Sequence, residues 1–260
     1  MKISADLILS GNQWFKGHCL QVNNGRIQGV CQSEHSEFHY ANSAILPGFA
    51  NLHSHSFQRV IRGQTEWLRV GTQDDFWSWR TAMYQAASRL SPEHVESVAE
   101  WTFLEMLKTG VTAVGEFHYL HHQPNGTAYD QTSELSQRVI AAAVRVGMRI
   151  THLPVAYGRG GFNQQTLTEQ RRFVCDASDE FLKLVDELRS RYRNHSTVQV
   201  GLAPHSIRAV DTQWLDACSE AARQWSCPLH IHVCEQVREL AECHAVHGLS
   251  PIELLAKHNV

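Results

Sequence analysis

From about residue 44 onward, apolar runs of strand type alternate with segments of helical period, and this alternation restricts the chain to few architectures. The strand-type runs are AILPGFANLHSH (44–55), VTAVGEFHY (111–119), MRITHLPV (148–155), VQVGLAPHS (198–206) and PLHIHVCE (228–235). Helices are expected over 92–108, about 132–146, about 168–193 and near 212–225, with further helical segments to the end. The first of these is marked most clearly. Ser91 suits an N-cap and Pro92 the first helical position, Val95, Val98, Ala99, Thr102, Phe103 and Met106 follow the helical period, and Gly110 is the stop. Strands alternating with helices imply a parallel sheet with helical crossovers. The expected fold class is α/β: an incomplete TIM-type (β/α)8 barrel over 47–260, with about five of the eight strands that closure requires. A doubly wound open sheet is the competing architecture. It announces itself by a Gly-rich phosphate turn after the first strand, where this chain carries histidines instead.

Residues 1–46 read as a separate small β-rich unit. ADLIL, HCLQV and RIQGV are short apolar runs punctuated by Ser10-Gly11-Asn12 and Asn23-Asn24-Gly25, and an Asn-Gly pair between two such runs signals a hairpin.

Composition bounds the partners. The chain has 260 residues, 43% hydrophobic and 19% charged, with a net charge of −3, so neither nucleic acid nor an anionic membrane surface is expected. No apolar stretch is long enough to span a bilayer, and Asp6 breaks the short apolar run at the start, so neither a membrane span nor a signal peptide is expected. The seven cysteines, at 19, 31, 175, 218, 227, 234 and 243, include no CxxC pair and read as reduced thiols of a cytoplasmic protein. The 17 histidines point weakly to metal chemistry, since most of them read as a solvent-exposed scatter.

Two strand ends sharpen that pointer. His53 and His55 lie at i and i+2 where the first core strand ends, so their imidazoles project from one face. In a barrel that end carries the active site. His232 occupies a second strand end, and Glu235 follows three residues later. Three imidazoles suit a borderline-soft ion such as Zn2+, one per site, with an open position for water. Zinc brings the pKa of water toward neutrality, and a nearby carboxylate can carry a proton to a leaving nitrogen, for which Glu235 is the candidate. The plainer alternatives are a pair of loop histidines at 53 and 55 and a core strand that happens to carry His230 and His232.

PGFANLHSHSFQRVIRGQTE (47–66) resembles the first metal motif of the amidohydrolase superfamily, in the form seen in formimidoylglutamate deiminases. DDFWSWRTAMY (74–84), GEFHYLHHQPNGTAYD (115–130), GLAPHSIRAV (201–210) and PLHIHVCEQ (228–236) are similar to further segments of that family, in the same order. FWSWR and EFHYLHH are the more specific segments, and the resemblance covers essentially the whole chain. It implies the metal-dependent hydrolase form of the barrel, with His53, His55 and His232 as zinc ligands and Glu235 as the catalytic acid/base. It places Gln58, Arg80, Tyr119, His205 and Arg208 among the substrate-contacting residues. His118, His121 and His122 read as structural or loop residues. The implied reaction is zinc-dependent hydrolysis of N-formimino-L-glutamate to N-formyl-L-glutamate and ammonia, a step of histidine degradation. The two carboxylates of that substrate suit the forks of Arg80 and Arg208. A small dicarboxylate is therefore the expected partner, and the resemblance also implies a homodimer.

The chain departs from the family pattern after His232. The family's sixth strand supplies a further histidine and its eighth an aspartate, whereas His244, His247 and His258 fall in expected helix and loop. Residues 1–260 alone are therefore expected to turn over slowly if at all. Two other functions compete: an aminohydrolase of the guanine or pterin type, against which the Arg80/Arg208 pair argues, and a non-catalytic remnant, against which the retained metal and substrate residues argue.

Overall fold

In the computed structural model the described residues are 1–32, 35–66 and 76–260. The chain divides into two compact units, Met1–Phe49 and Ala50–Val260.

The first unit is a five-stranded sheet. Its strands are β1 (Lys2–Ser10), β2 (Gln13–Lys16), β3 (His18–Asn23), β4 (Arg26–Gln32) and β5 (Phe38–Ile45), in the order β2-β1-β3-β4, with β5 parallel to β1. Asn24 and Gly25 turn between β3 and β4 with φ of 49° and 71°, the doubly left-handed backbone that a two-residue hairpin demands. Ile8 and Cys19 are fully buried. The strand β2 has no counterpart in the sequence reading, because QWFK is too short and mixed to show a period.

The second unit starts its sheet with β6 (Phe49–Ser54), which begins one residue before the unit boundary and runs into a 3-10 turn, Ser56–Ile61. Then follow α1 (Phe76–Ala87), α2 (Pro92–Lys108), β7 (Val111–His118), α3 (Glu134–Val146) and β8 (Arg149–Ala156). The rest comprises α4 (Ser178–Tyr192), β9 (Val198–Val200), β10 (Ala203–Pro204), α5 (Thr212–Trp225), α6 (Val237–His247) and α7 (Pro251–Lys257). The strands lie in the order β10-β8-β7-β6, with β9 also on β8; β7 with β8, and β8 with both β9 and β10, are parallel. This is part of a TIM-type barrel: parallel strands whose connections are helices.

Two helix ends show the local chemistry that sets them. At α2 the Ser91 side chain accepts from the His94 amide at 3.3 Å, while His94 Nδ1 accepts from the Ser91 amide at 3.3 Å. At α3 the stop is Gly147, left-handed at φ 83°. The buried faces of these helices, Val95, Ala99 and Phe103 on α2 and Leu135, Val139 and Ile140 on α3, belong to one apolar core with Val114 and Ile150 of the sheet.

Three expected elements differ, the first being the strand expected over 198–206, which is split into β9 and β10. The helix expected over 168–193 is broken: a 3-10 turn covers Thr168–Gln170, and α4 starts only at Ser178. Between them the chain is drawn inward by Arg172, which is 1% exposed. Its guanidinium donates to the carbonyls of Ala87, Leu90 and His122, and Phe173 beside it is fully buried. The strand expected over 228–235 is reduced to isolated parallel bridges, Leu202 with Leu229 and Ser206 with His232. The path is still strand-like, since His230 and His232 donate their amides to Leu202 and His205, but the two contact points never merge into a continuous ladder.

Close packing inside the sheet leaves one checkable constraint. A Cβ on Gly115 would stand 2.6 Å from the Leu52 carbonyl oxygen of β6, so any side chain there must push the two strands apart. Gly115→Ala is expected to lower stability by about 1–3 kcal/mol, read as a fall in Tm by calorimetry. Gly29→Ala, where an added Cβ meets nothing within 4 Å, serves as the control.

A three-histidine centre and its recess

β6 presents His53, and His55 follows it directly; the path through 229–232 presents His232. Parallel strands deliver all their C-terminal ends to one rim, so these side chains meet. The Nε2 atoms of His53 and His55 are 3.0 Å apart, and those of His53 and His232 are 3.1 Å apart. The ligand atoms of all three lie within 4.8 Å of one another, a spacing that suits a single metal ion. Zinc takes imidazole nitrogen at about 2.0–2.1 Å, so nitrogens roughly 3 Å apart can share it.

The tautomer fits as well. His55 Nδ1 lies 2.9 Å from the main-chain carbonyl of Phe117; a carbonyl only accepts, so Nδ1 carries the proton and Nε2 is left with its lone pair toward the cluster. All three imidazoles are held neutral, as metal ligation requires. Burial depresses His55 to about 4. Burial, aided by His55, His53 and Arg208, depresses His232 to about 3. Burial and His230 lower His53, against the opposing pull of Glu235. His232 Nδ1 is buried and has no partner among the described residues.

Phe117, on β7, is the wall behind the cluster. It stacks on His232 with centroids 4.3 Å apart and meets His53 at 5.4 Å and His55 at 5.2 Å. The sequence reading passed over it, since an apolar residue on a core strand carries no signal of a site.

One recess opens beside the histidines. His55 and His232 line it together with Gln58, Arg80, Tyr119, His205, Arg208 and Glu235, so every expected site residue except His53 borders the same space. Each is fixed by its own contacts. Gln58 Nε2 donates to the Tyr119 hydroxyl oxygen at 2.5 Å, which leaves the Tyr119 proton free to be given to a guest. Burial pushes the Tyr119 phenol well above its ordinary value, so it stays protonated. Arg80 lies over the Trp77 ring at 4.6 Å and near the Tyr84 ring at 5.4 Å. His205 is partly buried, driven well below the ordinary imidazole range by burial and then by His232, and its Nδ1 lies 3.1 Å from the Ser206 hydroxyl. Arg208 forms an ion pair with Glu235 and a second with Glu239. Arg159 braces the main chain at this point, donating to the carbonyls of Ile207 at 2.6 Å and Arg208 at 3.0 Å. Of the FWSWR neighbourhood, Asp74 and Asp75 fall outside the described residues.

The other histidines of EFHYLHH sit elsewhere. His121 and His122 bond to the carbonyls of Val155 and Val174, and His118 is fully buried, as the structural reading held.

The fold and this site define a class. Residues 44–258 match the amidohydrolase family, and the chain belongs to it. Among curated relatives, the formimidoylglutamate deiminase of Pseudomonas aeruginosa is 44% identical over 215 residues, covering 82% of this chain and 46% of that protein. The 8-oxoguanine deaminase of the same organism is 29% identical over 251 residues, covering 91% of this chain and 52% of that protein. Among solved structures, an amidohydrolase from Brucella melitensis superposes with a TM-score of 0.90 at 38% identity, over 99% of this chain and 57% of that one. The chain thus spans about half the length of the curated relatives it matches. No helix among the described residues is long and apolar enough to cross a membrane.

Two outcomes are expected of this centre. The protein should bind one zinc per chain; His55→Ala and His232→Ala should each abolish stoichiometric metal by elemental analysis, while His230→Ala, outside the cluster, should retain it. The second concerns Glu116, fully buried on β7, whose Oε1 accepts from the Ser56 amide at 2.7 Å and the Ser56 hydroxyl at 2.6 Å. Burial raises it to about 7 from an ordinary 4.5, opposed by those hydrogen bonds. Its folded form therefore binds more protons than its unfolded form between those values, so its contribution to stability falls as pH rises through that window. His118 and His152, pulled down by burial, work in the opposite sense, so the Glu116 effect appears as a difference between proteins. Glu116→Gln should gain roughly 3 kcal/mol on the parent between pH 4 and pH 8, measured by urea unfolding across pH.

Proposed function

We propose that this protein serves the zinc-dependent hydrolysis of N-formimino-L-glutamate to N-formyl-L-glutamate and ammonia, a step of histidine breakdown in the cytoplasm. The observation that carries the reading is the presence of two guanidinium groups, Arg80 and Arg208, in the same recess as the histidine cluster. A substrate with two carboxylates and one electron-poor C=N carbon matches that distribution. The two anionic ends need forked cationic partners, and the reacting carbon needs to lie by the metal ligands. The identity shared with the Pseudomonas formimidoylglutamate deiminase supports the same reading.

His53, His55 and His232 would hold the ion. When bound, zinc supplies a Lewis acid and brings water toward ionisation near neutral pH. The residues of the chain do the rest. Arg80 and Arg208 orient the carboxylates, while the Tyr119 hydroxyl donates its proton to one of them. Water adds to the amidine carbon, and the tetrahedral carbon collapses with loss of ammonia. The proton removed from water has to reach that nitrogen, and in this reading Glu235, which lines the recess beside the Arg208 guanidinium, carries it. His205, held neutral, offers a further hydrogen-bonding partner without adding charge beside the ion.

A purine substrate is the second reading, favoured by the likeness to 8-oxoguanine deaminase. It offers Arg80 and Arg208 no carboxylate of a substrate to bind. Isothermal titration of the zinc-loaded protein should show N-formimino-L-glutamate bound at least about 100-fold more tightly than guanine or 8-oxoguanine, as expected for a site built around charged hydrogen bonds. Arg208→Ala should weaken that binding by about tenfold or more. Tighter binding of either purine would overturn the assignment.

A further inference from the structure

The run His53-Ser54-His55-Ser56 alternates imidazoles and hydroxyls. On an extended chain this alternation sends the two kinds to opposite faces. The imidazoles gather against Phe117, while both serines are buried, at 8% and 1% exposure. Ser56 meets Glu116, which is fully buried on β7. One carboxylate oxygen, Oε1, accepts from the Ser56 amide at 2.7 Å and from the Ser56 hydroxyl at 2.6 Å. The other, Oε2, is buried without a hydrogen-bond partner among the described residues.

A carboxyl group is costly to keep in such a place, and this one belongs neither to the histidine cluster nor to the lining of the recess. Its position gives it a purpose. Glu116 and Phe117 are consecutive on β7, and His55 and Ser56 are consecutive just past β6. The Phe117 carbonyl accepts from His55 Nδ1 at 2.9 Å, and the Glu116 side chain holds Ser56. Two neighbouring residues of one strand thus grip two neighbouring residues of the next, one through a ring and one through the main chain. Ser56 also opens the 3-10 turn Ser56–Ile61, where the first amides have no partner within the turn, and His55 before it makes no side-chain capping bond. Glu116 supplies the missing acceptor from the adjacent strand.

We propose that Glu116 is a positioning residue for the metal centre: by accepting from Ser56 it fixes the chain where β6 ends, and so keeps His55 Nδ1 on the Phe117 carbonyl with Nε2 turned toward the ion. This deepens the zinc reading above and rests on it for the identity of the ion, whereas the latch itself can be read in metal-free protein. The latch needs one acceptor oxygen, because both groups that Ser56 offers are donors. Glutamine at 116 keeps that oxygen, and leucine does not.

Two measurements on the full chain test it. The first is zinc affinity by competition with a chelator. Glu116→Leu should weaken zinc binding by about tenfold or more, the loss expected when a residue that supports a metal ligand is removed, and Glu116→Gln should stay within about threefold of the parent. Val114→Ala, a cavity in the apolar core on the same strand, should lower Tm yet also leave zinc affinity within about threefold, which separates the latch from a general loss of stability. The second is the His55 tautomer in metal-free protein, read by long-range proton–nitrogen NMR correlation and assigned by its loss in His55→Ala. The parent and Glu116→Gln should show the Nδ1–H form alone, and Glu116→Leu a mixture of both forms. A pure Nδ1–H form in Glu116→Leu would overturn the latch, and so would parental zinc affinity in that variant. Equal weakening of zinc in Glu116→Gln or Val114→Ala would overturn it too. A parent that takes up no zinc, with the tautomer still released in Glu116→Leu, would sustain the latch and overturn the zinc reading instead.

Discussion

His53 and His232 are 179 positions apart in the chain, and their Nε2 atoms meet at 3.1 Å. That meeting is the constraint on which the rest of the site depends, and parallel strand order is what produces it. A helix between each pair of strands returns the chain to the same starting edge, so every strand finishes at one rim. β6, β7, the 203–206 segment and the 229–232 path thus deliver His53, Phe117, His205 and His232 to a common place. The tolerances are narrow. Gly115 has no room for a Cβ against Leu52, and a Cβ on Gly201 would stand 2.4 Å from the Pro228 carbonyl oxygen. Both glycines let neighbouring backbones approach closely enough to bring the imidazoles within reach of one ion.

Charge is arranged in layers around this point. The imidazoles are neutral by burial, and the aromatic face of Phe117 backs His232. Farther out, the Arg208 guanidinium stands between Glu235 and Glu239. Net charge is therefore modest close to the ligand atoms and is carried by paired groups at the wall of the recess. Such pairing holds long side chains in defined positions without leaving a bare charge in a poorly solvated space.

The parts of the fold that were readable in advance are those written in local chemistry. Ser91, Pro92 and Gly110 bracket α2, and Asn24-Gly25 marks the hairpin, because caps and turns depend on near neighbours alone. The histidines of the cluster were readable for the same reason: spacing of two on a strand fixes a shared face. What could not be read depends on distant contacts. Arg172 breaks the helix expected over 168–193 by seeking carbonyls some 80 positions away, at Ala87 and Leu90. A charged residue inside an apparently helical stretch normally reads as solvent-facing. The 228–235 run keeps its side-chain alternation but has only isolated bridges to 202–206, which no period reveals. Glu239 looks like an ordinary first-turn acid until its neighbours Cys234 and Arg208 are seen.

The acceptor that sets the His55 tautomer is the main-chain oxygen of Phe117, not a side chain. Many metal centres entrust this duty to an aspartate or glutamate, where a single codon change removes the acceptor. Here every amino acid placed at 117 brings the same carbonyl with it. Genetic drift can reshape the aromatic wall at that position, but the proton on the far nitrogen of His55 is protected by the path of the backbone, and only a change that displaces the strand itself can unseat it.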